Sequence, residues 1–531
     1  MKKCLYKISF LAPTLLFAIA SASGCNSSNS EIISSKRVIR ILNAADYIYE
    51  AEELDEDTLA CDYSKYLGED DMLDQFVTYM DELGEDITCV YDTYDTNETM
   101  YNELMTGKSS YDVIVTSDYM VQKLISNDLI QPLYNSSYEE KQETKDIRNH
   151  VSSYLWDIFD GIHPKDKNTN EIIEDKVIST YSVPYMWGTV GVMYNPEFYS
   201  DLSLKETINL FSSWEGLYKE ESKNSFSIKD SVRDVYAVSV VHAFYENEIK
   251  PLEEKMNNGE ISSNEFNSKL NTIFNRCDDE TLEIIKEDML KLKANSFGFE
   301  VDSGKTDMIE AKIGANLAWS GDATWAIEEA ESSYEKELYF SIPKEGSNIW
   351  FDAFCIPSSS SNSDLALKFI DFMSKPENAI QNMYSVGYTS AVSSPEMLDY
   401  VYENYDVRGA IGETSEDEYV EYNLSYFFKD SIENANDAIL HADPSAIGRT
   451  LTAQYPEEKD LPHLCVMDDF GTQNEAVLDM WEKVRTNPLP IWAMILFIIE
   501  ILIALGVVVF FIVKKQIKNK LRKTRRNERL S

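Results

Sequence analysis

Short apolar runs alternate with stretches of helical periodicity in the first third of the chain. Strands are predicted at 38–42, 87–91 and 113–115. A helix is predicted at 97–107, with Asn97 as its cap and Gly107 at its end, and Ser117 opens the next helix. Because strands that alternate with helices form mostly parallel, covered sheets, this order predicts an α/β fold. Tyr47, Ser117 and Tyr119 come just after strand ends, where the ligands of such sheets bind.

One carboxylate interrupts an apolar run later in the chain. Residues 349–356 are apolar apart from Asp352, and an acid is costly to bury without a partner. Trp350 lies two positions earlier, so both side chains point to the same face of a strand. An aromatic ring beside a desolvated carboxylate can hold an organic cation, since the ring attracts it and the acid neutralises it. The alternative is a core tryptophan beside an aspartate that backbone donors satisfy.

The later chain predicts further strands and charged helices. Residues 181–195 are predicted as paired strands, and the Trp-Ser-Gly-Asp motif at 319–322 follows another short strand. Residues 400–465 are acidic and helical in character. Asp364 is predicted to cap a helix that ends at Met373.

Composition excludes several classes of function. The 531 residues carry a formal net charge of −44, which makes nucleic acid a poor partner for the main body and attracts cations. The seven cysteines show no CxxC spacing, and the five histidines offer no zinc pattern. Neither a phosphate-binding loop nor a nucleophile elbow is present. We therefore predict a protein that is not an enzyme and uses no cofactor or metal.

Both chain ends predict export and anchoring. Residues 1–25 are typical of an export leader, and Cys25 lies in a lipobox-like motif that predicts its lipidation. An ordinary cleavage site or an uncleaved anchor is the alternative. Residues 491–513 form an apolar run long enough to span a bilayer, and the basic residues of 514–531 would lie in the cytoplasm. The predicted localisation is thus the cell membrane, with the large domain outside and the C-terminus inside.

Motifs spread over roughly residues 37–395 resemble the spermidine/putrescine-binding proteins, the extracytoplasmic receptors of polyamine ABC importers. The stretch around Trp350 and Asp352 resembles their crossing between lobes. The other motifs are Leu42-Asn-Ala-Ala-Asp-Tyr47, Val90-Tyr-Asp-Thr-Tyr94, Asn97-Glu-Thr-Met-Tyr101, Tyr111-Asp-Val-Ile-Val-Thr-Ser-Asp-Tyr119, Tyr181-Ser-Val-Pro-Tyr-Met-Trp-Gly188, Asp230-Ser-Val-Arg-Asp234, Trp319-Ser-Gly-Asp322 and Val386-Gly-Tyr388.

The resemblance implies a two-lobe, periplasmic-binding-protein-like clamp that closes on a polyamine and delivers it to an ABC permease and ATPase. The ligand-binding residues it implies are Tyr47, Ser117, Tyr119, Asp234, Trp319, Asp322, Trp350, Asp352, Tyr388 and Gln473. The implied organisation is a leader (1–25), a tether (26–36), lobe 1 (37–155 and 350–398), lobe 2 (156–349 and 399–486), a transmembrane helix (491–513) and a tail (514–531).

Two departures leave the choice of polyamine open. Ala44 stands where many members have Trp, and Ser231 stands where spermidine-type proteins show a second acid, although Asp230 is adjacent. Asp322, meanwhile, resembles the putrescine-type arrangement. A single-span sensor ectodomain for a small cation is the alternative function. A surface glycosidase is disfavoured, because the acid pair that it needs cannot be located.

Overall fold

The computed structural model describes residues 36–54, 56–107, 110–133, 141–407, 419–486, 509–510, 513–515 and 517–518. The predicted leader, Cys25 and almost all of the tether lie outside these residues, as do most of 491–513 and of the tail. The predicted transmembrane helix is not supported, since none of the helices described is both long and apolar enough to cross a membrane.

Strands recur along the whole described chain, including the regions predicted from apolar runs. They are β1 (Arg37–Ala44), β2 (Ile87–Tyr94), β3 (Val113–Ser117), β4 (Ser182–Tyr194), β5 (Phe226–Lys229), β6 (Gly298–Glu300), β7 (Ala315–Trp319), β8 (Tyr339–Ser341), β9 (Ser347–Cys355), β10 (Thr389–Ser390), β11 (Val420–Asn423), β12 (Ile439–Ala442) and β13 (Leu464–Cys465).

Helices cover both faces of the strands. They are α1 (Glu56–Ala60), α2 (Met72–Glu82), α3 (Asn97–Thr106), α4 (Asp118–Ser126), α5 (Gln142–His150), α6 (Ser153–Asp160), α7 (Ile178–Tyr181), α8 (Leu204–Phe211), α9 (Val232–Phe244), α10 (Lys250–Asn257), α11 (Ser263–Phe274), α12 (Asp279–Asn295), α13 (Gly304–Ile309), α14 (Ser320–Tyr334), α15 (Ser363–Met373), α16 (Pro376–Val386), α17 (Pro395–Tyr405), α18 (Ser425–Phe428), α19 (Thr450–Gln454) and α20 (Asn474–Arg485).

A single mixed sheet runs through the molecule. Its main path, within the described residues, is β2-β1-β3-β9-β4-β7-β5-β6, and β8, β10 and β13 attach to β4 or β9. The pairings of β1 with β2 and β3 are parallel, which confirms the sheet predicted from the strand–helix alternation. Strand β9 pairs antiparallel with both β3 and β4. It therefore brings residues from the middle of the chain beside the first strands.

Strand β4 differs from its prediction as a pair of strands. It is one continuous strand of 13 residues, buried along its whole length. Its first half, with Val183 and Trp187, belongs to one hydrophobic core. Its second half, with Val190 and Tyr194, belongs to another. No turn interrupts β4, and its two halves belong to different cores. The strand therefore crosses from the first core to the second.

The two large cores give the molecule its organisation. The first core packs around β1, β3 and the helices α4, α15 and α16. The second core packs around β5, β7 and the helices α9, α11 and α12. Residues 420–455, predicted to be helical, instead include the antiparallel pair β11–β12 and bury Tyr422 and Tyr455 in the first core. The lobe boundaries stay a prediction.

Candidate ligand-binding site

The Asp352 carboxylate lies where β9 runs antiparallel to β3, directly opposite Ser117. Its oxygens accept hydrogen bonds from Ser117 Oγ and Tyr47 Oη, each at 2.8 Å. Burial raises the pKa of the Asp352 carboxyl, and the two hydrogen bonds oppose part of that rise. Among the described residues, no basic side chain forms an ion pair with Asp352. The site thus holds a desolvated acid that lacks a counter-cation.

Asn97 orients the hydroxyl groups around this acid. The cap of α3 is Thr96, whose side chain accepts from the Thr99 N–H, and not the predicted Asn97. Asn97 Nδ2 is therefore free to donate to Ser117 Oγ at 3.0 Å and to Tyr119 Oη at 2.9 Å. Because Ser117 Oγ accepts from Asn97, its own proton is directed to Asp352. The signal in the sequence was Thr96, one position earlier, since threonine is also a favoured N-cap residue.

Three aromatic rings form one wall beside Asp352, and we call them the aromatic wall: Tyr47, Trp350 and Tyr388. The Tyr388 ring lies edge-on to both others, with centroids 5.6 Å from Tyr47 and 5.4 Å from Trp350. Edge-to-face packing holds rings in defined positions. Trp350 and Asp352 point to the same side of β9, as the strand spacing predicts. The aromatic wall therefore joins an acid and ring faces in one place.

Two glycines make room for the aromatic wall. A Cβ atom on Gly188 would overlap Trp350 and Ser320 Oγ, and one on Gly321 would overlap the ring of Tyr388. These glycines belong to the motifs at 181–188 and 319–322. Their role is to allow close approach of a ring, so any larger side chain would displace it.

We expect Gly321→Ala to destabilise the protein by about 1–3 kcal/mol, because the added methyl overpacks a filled site. It also displaces Tyr388 and weakens ligand binding. Urea unfolding and calorimetry measure the two effects. Gly298→Ala is the matched control, since a Cβ there meets no atom within 4 Å. Equal effects of the two substitutions would contradict the packing role of Gly321.

Asp322, predicted to face the ligand, is already paired by the chain itself. Its carboxylate contacts Lys229 Nζ at 2.9 Å and Lys305 Nζ at 3.5 Å. Tyr388 Oη donates to it at 2.9 Å. Burial alone would raise the pKa of Asp322, but the lysine charges and these hydrogen bonds outweigh it and the pKa lies below its ordinary value. Asp322 thus joins the aromatic wall to a cluster of charges.

Asp234 and Trp319 meet on the side of the second core. Trp319 Nε1 donates to Asp234 at 3.1 Å, and burial raises the pKa of the Asp234 carboxyl. Ser231 is the N-cap of α9 and accepts from the Asp234 N–H. The neighbouring Asp230 forms an ion pair with Arg485 at 2.8 Å. Because it is already paired, Asp230 does not take the place of the second acid that spermidine-type proteins show at the position of Ser231.

Two of the predicted ligand-binding residues, Tyr119 and Gln473, are less available to a ligand or less connected to the site than the others. The ring of Tyr119 is covered by the Arg233 guanidinium, 3.5 Å from its centroid, so one of its faces is taken. Gln473 lies just before α20, and no hydrogen bond in the described part of the chain joins its side chain to the other predicted residues. Direct or shared contacts bring together all of the predicted residues except Gln473: Tyr47, Ser117, Tyr119, Asp234, Trp319, Asp322, Trp350, Asp352 and Tyr388.

Sequence reasoning missed three charged residues of this region: Asp118, Lys229 and Arg233. Lys229 ends the short apolar strand β5 and is 2% exposed. Asp352 was identified as a charge inside an apolar run, and a charge at the end of a short strand such as β5 is a similar but weaker signal. Asp118 is buried beside β9 and accepts from the Tyr119 and Phe351 N–H groups.

Asp118 makes the stability of the protein dependent on pH. Burial is the main cause that raises its pKa to about 8. The folded state therefore holds an extra proton between the ordinary carboxyl pKa and about pH 8, so stability falls as pH rises through this window. We therefore compare the unfolding free energies of the wild type and of Asp118→Asn. The difference, wild type minus variant, should fall by about 1–2 kcal/mol from pH 6 to pH 8. Chemical unfolding at both pH values measures it, and a constant difference would contradict the proton at Asp118.

A cavity of about 890 Å³ lies elsewhere, between α6, α11 and the segment that includes β13. None of the predicted ligand-binding residues lines it. Asn267 and Asn271 on its wall already hydrogen-bond the backbone of residues 462–466, and Lys165 is paired with Asp468 at 2.8 Å. These polar groups have partners within the chain, unlike the carboxylate of Asp352, which forms no ion pair among the described residues.

The fold and the site define a class of protein. A family model of bacterial extracellular solute-binding proteins matches residues 71–397, and the chain belongs to this family. It is 28% identical over 303 residues to the spermidine/putrescine-binding periplasmic protein of Salmonella typhimurium, covering 57% of this chain and 70% of that one. It is 25% identical over 327 residues to the putrescine-binding periplasmic protein PotF of Escherichia coli, covering 60% of this chain and 75% of that one. The predicted resemblance is confirmed.

A solved structure supports the fold. The spermidine/putrescine ABC transporter substrate-binding protein PotD of Streptococcus pneumoniae superimposes with a TM-score of 0.51 and 22% identity, covering 85% of this chain and 100% of that chain. The predicted α/β, periplasmic-binding-protein-like fold is confirmed.

The predicted localisation is wrong. We expected a membrane protein with a cytoplasmic C-terminus, whereas the curated relatives are named as periplasmic proteins. The residues that the structure describes also include no helix able to span a bilayer. The expectation came from the export leader, the apolar run 491–513 and the basic residues that follow it.

Proposed function

We propose that this protein captures a polyamine and delivers it to an ABC importer. The observation that carries the proposal is Asp352, a desolvated carboxylate held by two hydroxyl donors, next to the aromatic wall and without a described counter-cation. Such a site stabilises an ammonium group, because the acid neutralises it and the rings attract it. The names of the relatives from Salmonella typhimurium and Escherichia coli support a polyamine as the cation.

The second ammonium would bind at Asp234. Asp322 is the other acid considered from the sequence, but Lys229 and Lys305 already neutralise it. Asp234 forms no ion pair among the described residues, and its carboxylate accepts a hydrogen bond from the neutral donor Trp319 Nε1. The methylene chain would lie between the two acids, along Trp350 and Trp319. Closure of the predicted lobes around the ligand would present it to the permease.

A thermal-shift panel tests this function. Putrescine, cadaverine, spermidine and spermine are compared with glucose and with a neutral amino acid at equal concentration. At least one polyamine should raise the melting temperature in a concentration-dependent way, because a ligand that binds only the folded state stabilises it. A shift with the sugar or the amino acid but with none of the polyamines would contradict the proposal.

A further inference from the structure

A lysine of the chain lies inside the candidate site. Lys229 Nζ contacts Asp322 at 2.9 Å and Glu300 at 3.1 Å, and it lies over the Trp319 ring, 4.6 Å from its centroid. Its side chain is 2% exposed. An acid and an aromatic face are the environment proposed above for a ligand ammonium, and here the chain supplies its own cation.

The sheet holds this lysine in place. Lys229 and Glu300 are register partners where β5 and β6 pair in parallel, so the two side chains end beside each other. Glu300 is fixed in turn by the Gly304 N–H at 2.9 Å and by Asn316 Nδ2 at 3.2 Å. Because each buried charge has a hydrogen-bonded partner, Lys229 is a permanent part of the site.

Contacts link Lys229 to both Asp352 and Asp234, the two acids that form no ion pair among the described residues. On one side, Asp322 accepts from Tyr388, whose ring packs on Tyr47 and Trp350 beside Asp352. On the other side, Trp319 lies under Lys229 and donates to Asp234 at 3.1 Å. A ligand that reached from Asp352 to Asp234 along Trp319 would bring its middle section near the Lys229 ammonium.

We propose that Lys229 restricts the site to ligands with an ammonium at each end and an uncharged middle, which are diamines, and excludes polyamines with an inner ammonium. The proposal rests on the proposed function. An inner ammonium would face a like charge in a buried site, where the acid it needs is already neutralised. A chain of methylenes meets no such penalty. Selectivity of this kind is obtained by repulsion of the wrong ligand.

Calorimetry of the full chain with putrescine and spermidine tests this selectivity. Lys229→Met with Glu300→Gln removes both buried charges together, so that neither is left unpaired. Asp322 then keeps Lys305, at 3.5 Å, and loses the lysine that lies over Trp319. Lys312→Met is the control, since this lysine is exposed and paired with Glu310. We expect the wild type and the control to prefer putrescine. In the double variant, the ratio of spermidine to putrescine affinity should rise by roughly tenfold or more.

The outcomes separate the two proposals. A folded double variant, with a cooperative melting transition, whose ratio stays within about twofold of the wild type would overturn the role of Lys229 and leave polyamine binding intact. Wild type that already prefers spermidine would overturn it as well. If the double variant does not fold, the wild type alone still tests the role of Lys229, because a preference for spermidine over putrescine would overturn it. If the wild type binds none of putrescine, cadaverine, spermidine and spermine, the proposed function fails, and the role of Lys229 fails with it.

Discussion

Asp352→Asn is expected to weaken putrescine binding by about thirty- to several-thousand-fold. The substitution keeps the shape of the side chain and one acceptor for Tyr47 or Ser117, but it removes the charge that neutralises an ammonium. Loss of one partner from a buried, hydrogen-bonded charge pair costs roughly 2–5 kcal/mol. Calorimetric titration of wild type and variant measures the difference.

Asp201→Asn is the matched control for this variant. Asp201 is exposed, and screened surface charges contribute little to binding. The putrescine affinity of the Asp201→Asn protein should therefore stay within about twofold of the wild type. The Asp352→Asn protein should also remain folded, because removing a desolvated charge does not destabilise the core. Unchanged affinity in a folded Asp352→Asn protein would place the ammonium elsewhere.

Asp234→Asn is expected to weaken putrescine binding by roughly ten- to hundredfold. Hydrogen bonds to a charged group contribute about 1.5–3 kcal/mol, and the amide cannot neutralise the second ammonium. Butylamine, which matches putrescine in length but carries one ammonium, provides the internal control. Its affinity should fall with Asp352→Asn and stay within about twofold with Asp234→Asn.

This pair of ligands separates the two ends of the site. Parallel losses for putrescine and butylamine in Asp234→Asn would show that Asp234 acts through folding or through Trp319, which it holds, and not through a second ammonium. Competition titrations extend the measurement to weak binders such as butylamine. The Asp234→Asn melting temperature checks that α9, whose first turn contains the residue, is intact.

Much of the first core could be predicted from apolar periodicity. Strands β1, β2 and β3 appear where the runs at 38–42, 87–91 and 113–115 predict them, because a short apolar run between helical stretches is typical of a strand. Each is longer than its apolar run, since polar residues at strand ends still pair with their neighbours. Ser117 is an example, as it ends β3 and faces the site.

Strand β4 shows where apolar pattern fails. Gly188 and Gly191 within it are typical of a turn between two strands. In the structure they allow close approach of Trp350 and Phe340 instead, and the strand continues. A glycine that permits packing and a glycine that permits a turn look the same in sequence, because the difference lies in neighbours far along the chain.

The sequence predicted the acids Asp234, Asp322 and Asp352 of the candidate site, but it did not predict the lysines that pair with Asp322. Asp352 and Trp350 stand out because an acid in an apolar run needs a partner. The pairing of Lys229 with Asp322 joins residues far apart in the chain, and no local pattern reports it. The same holds for Asn97, whose role depends on Thr96 taking the cap of α3.

A crystal structure of the protein with putrescine bound tests the central claim most directly. We expect one amine nitrogen about 2.7–2.9 Å from an Asp352 carboxylate oxygen and the methylenes against Trp350. The other nitrogen should contact Asp234, with Lys229 still on Asp322. Putrescine bound elsewhere, with Asp352 contacted only by Tyr47 and Ser117, would contradict the account.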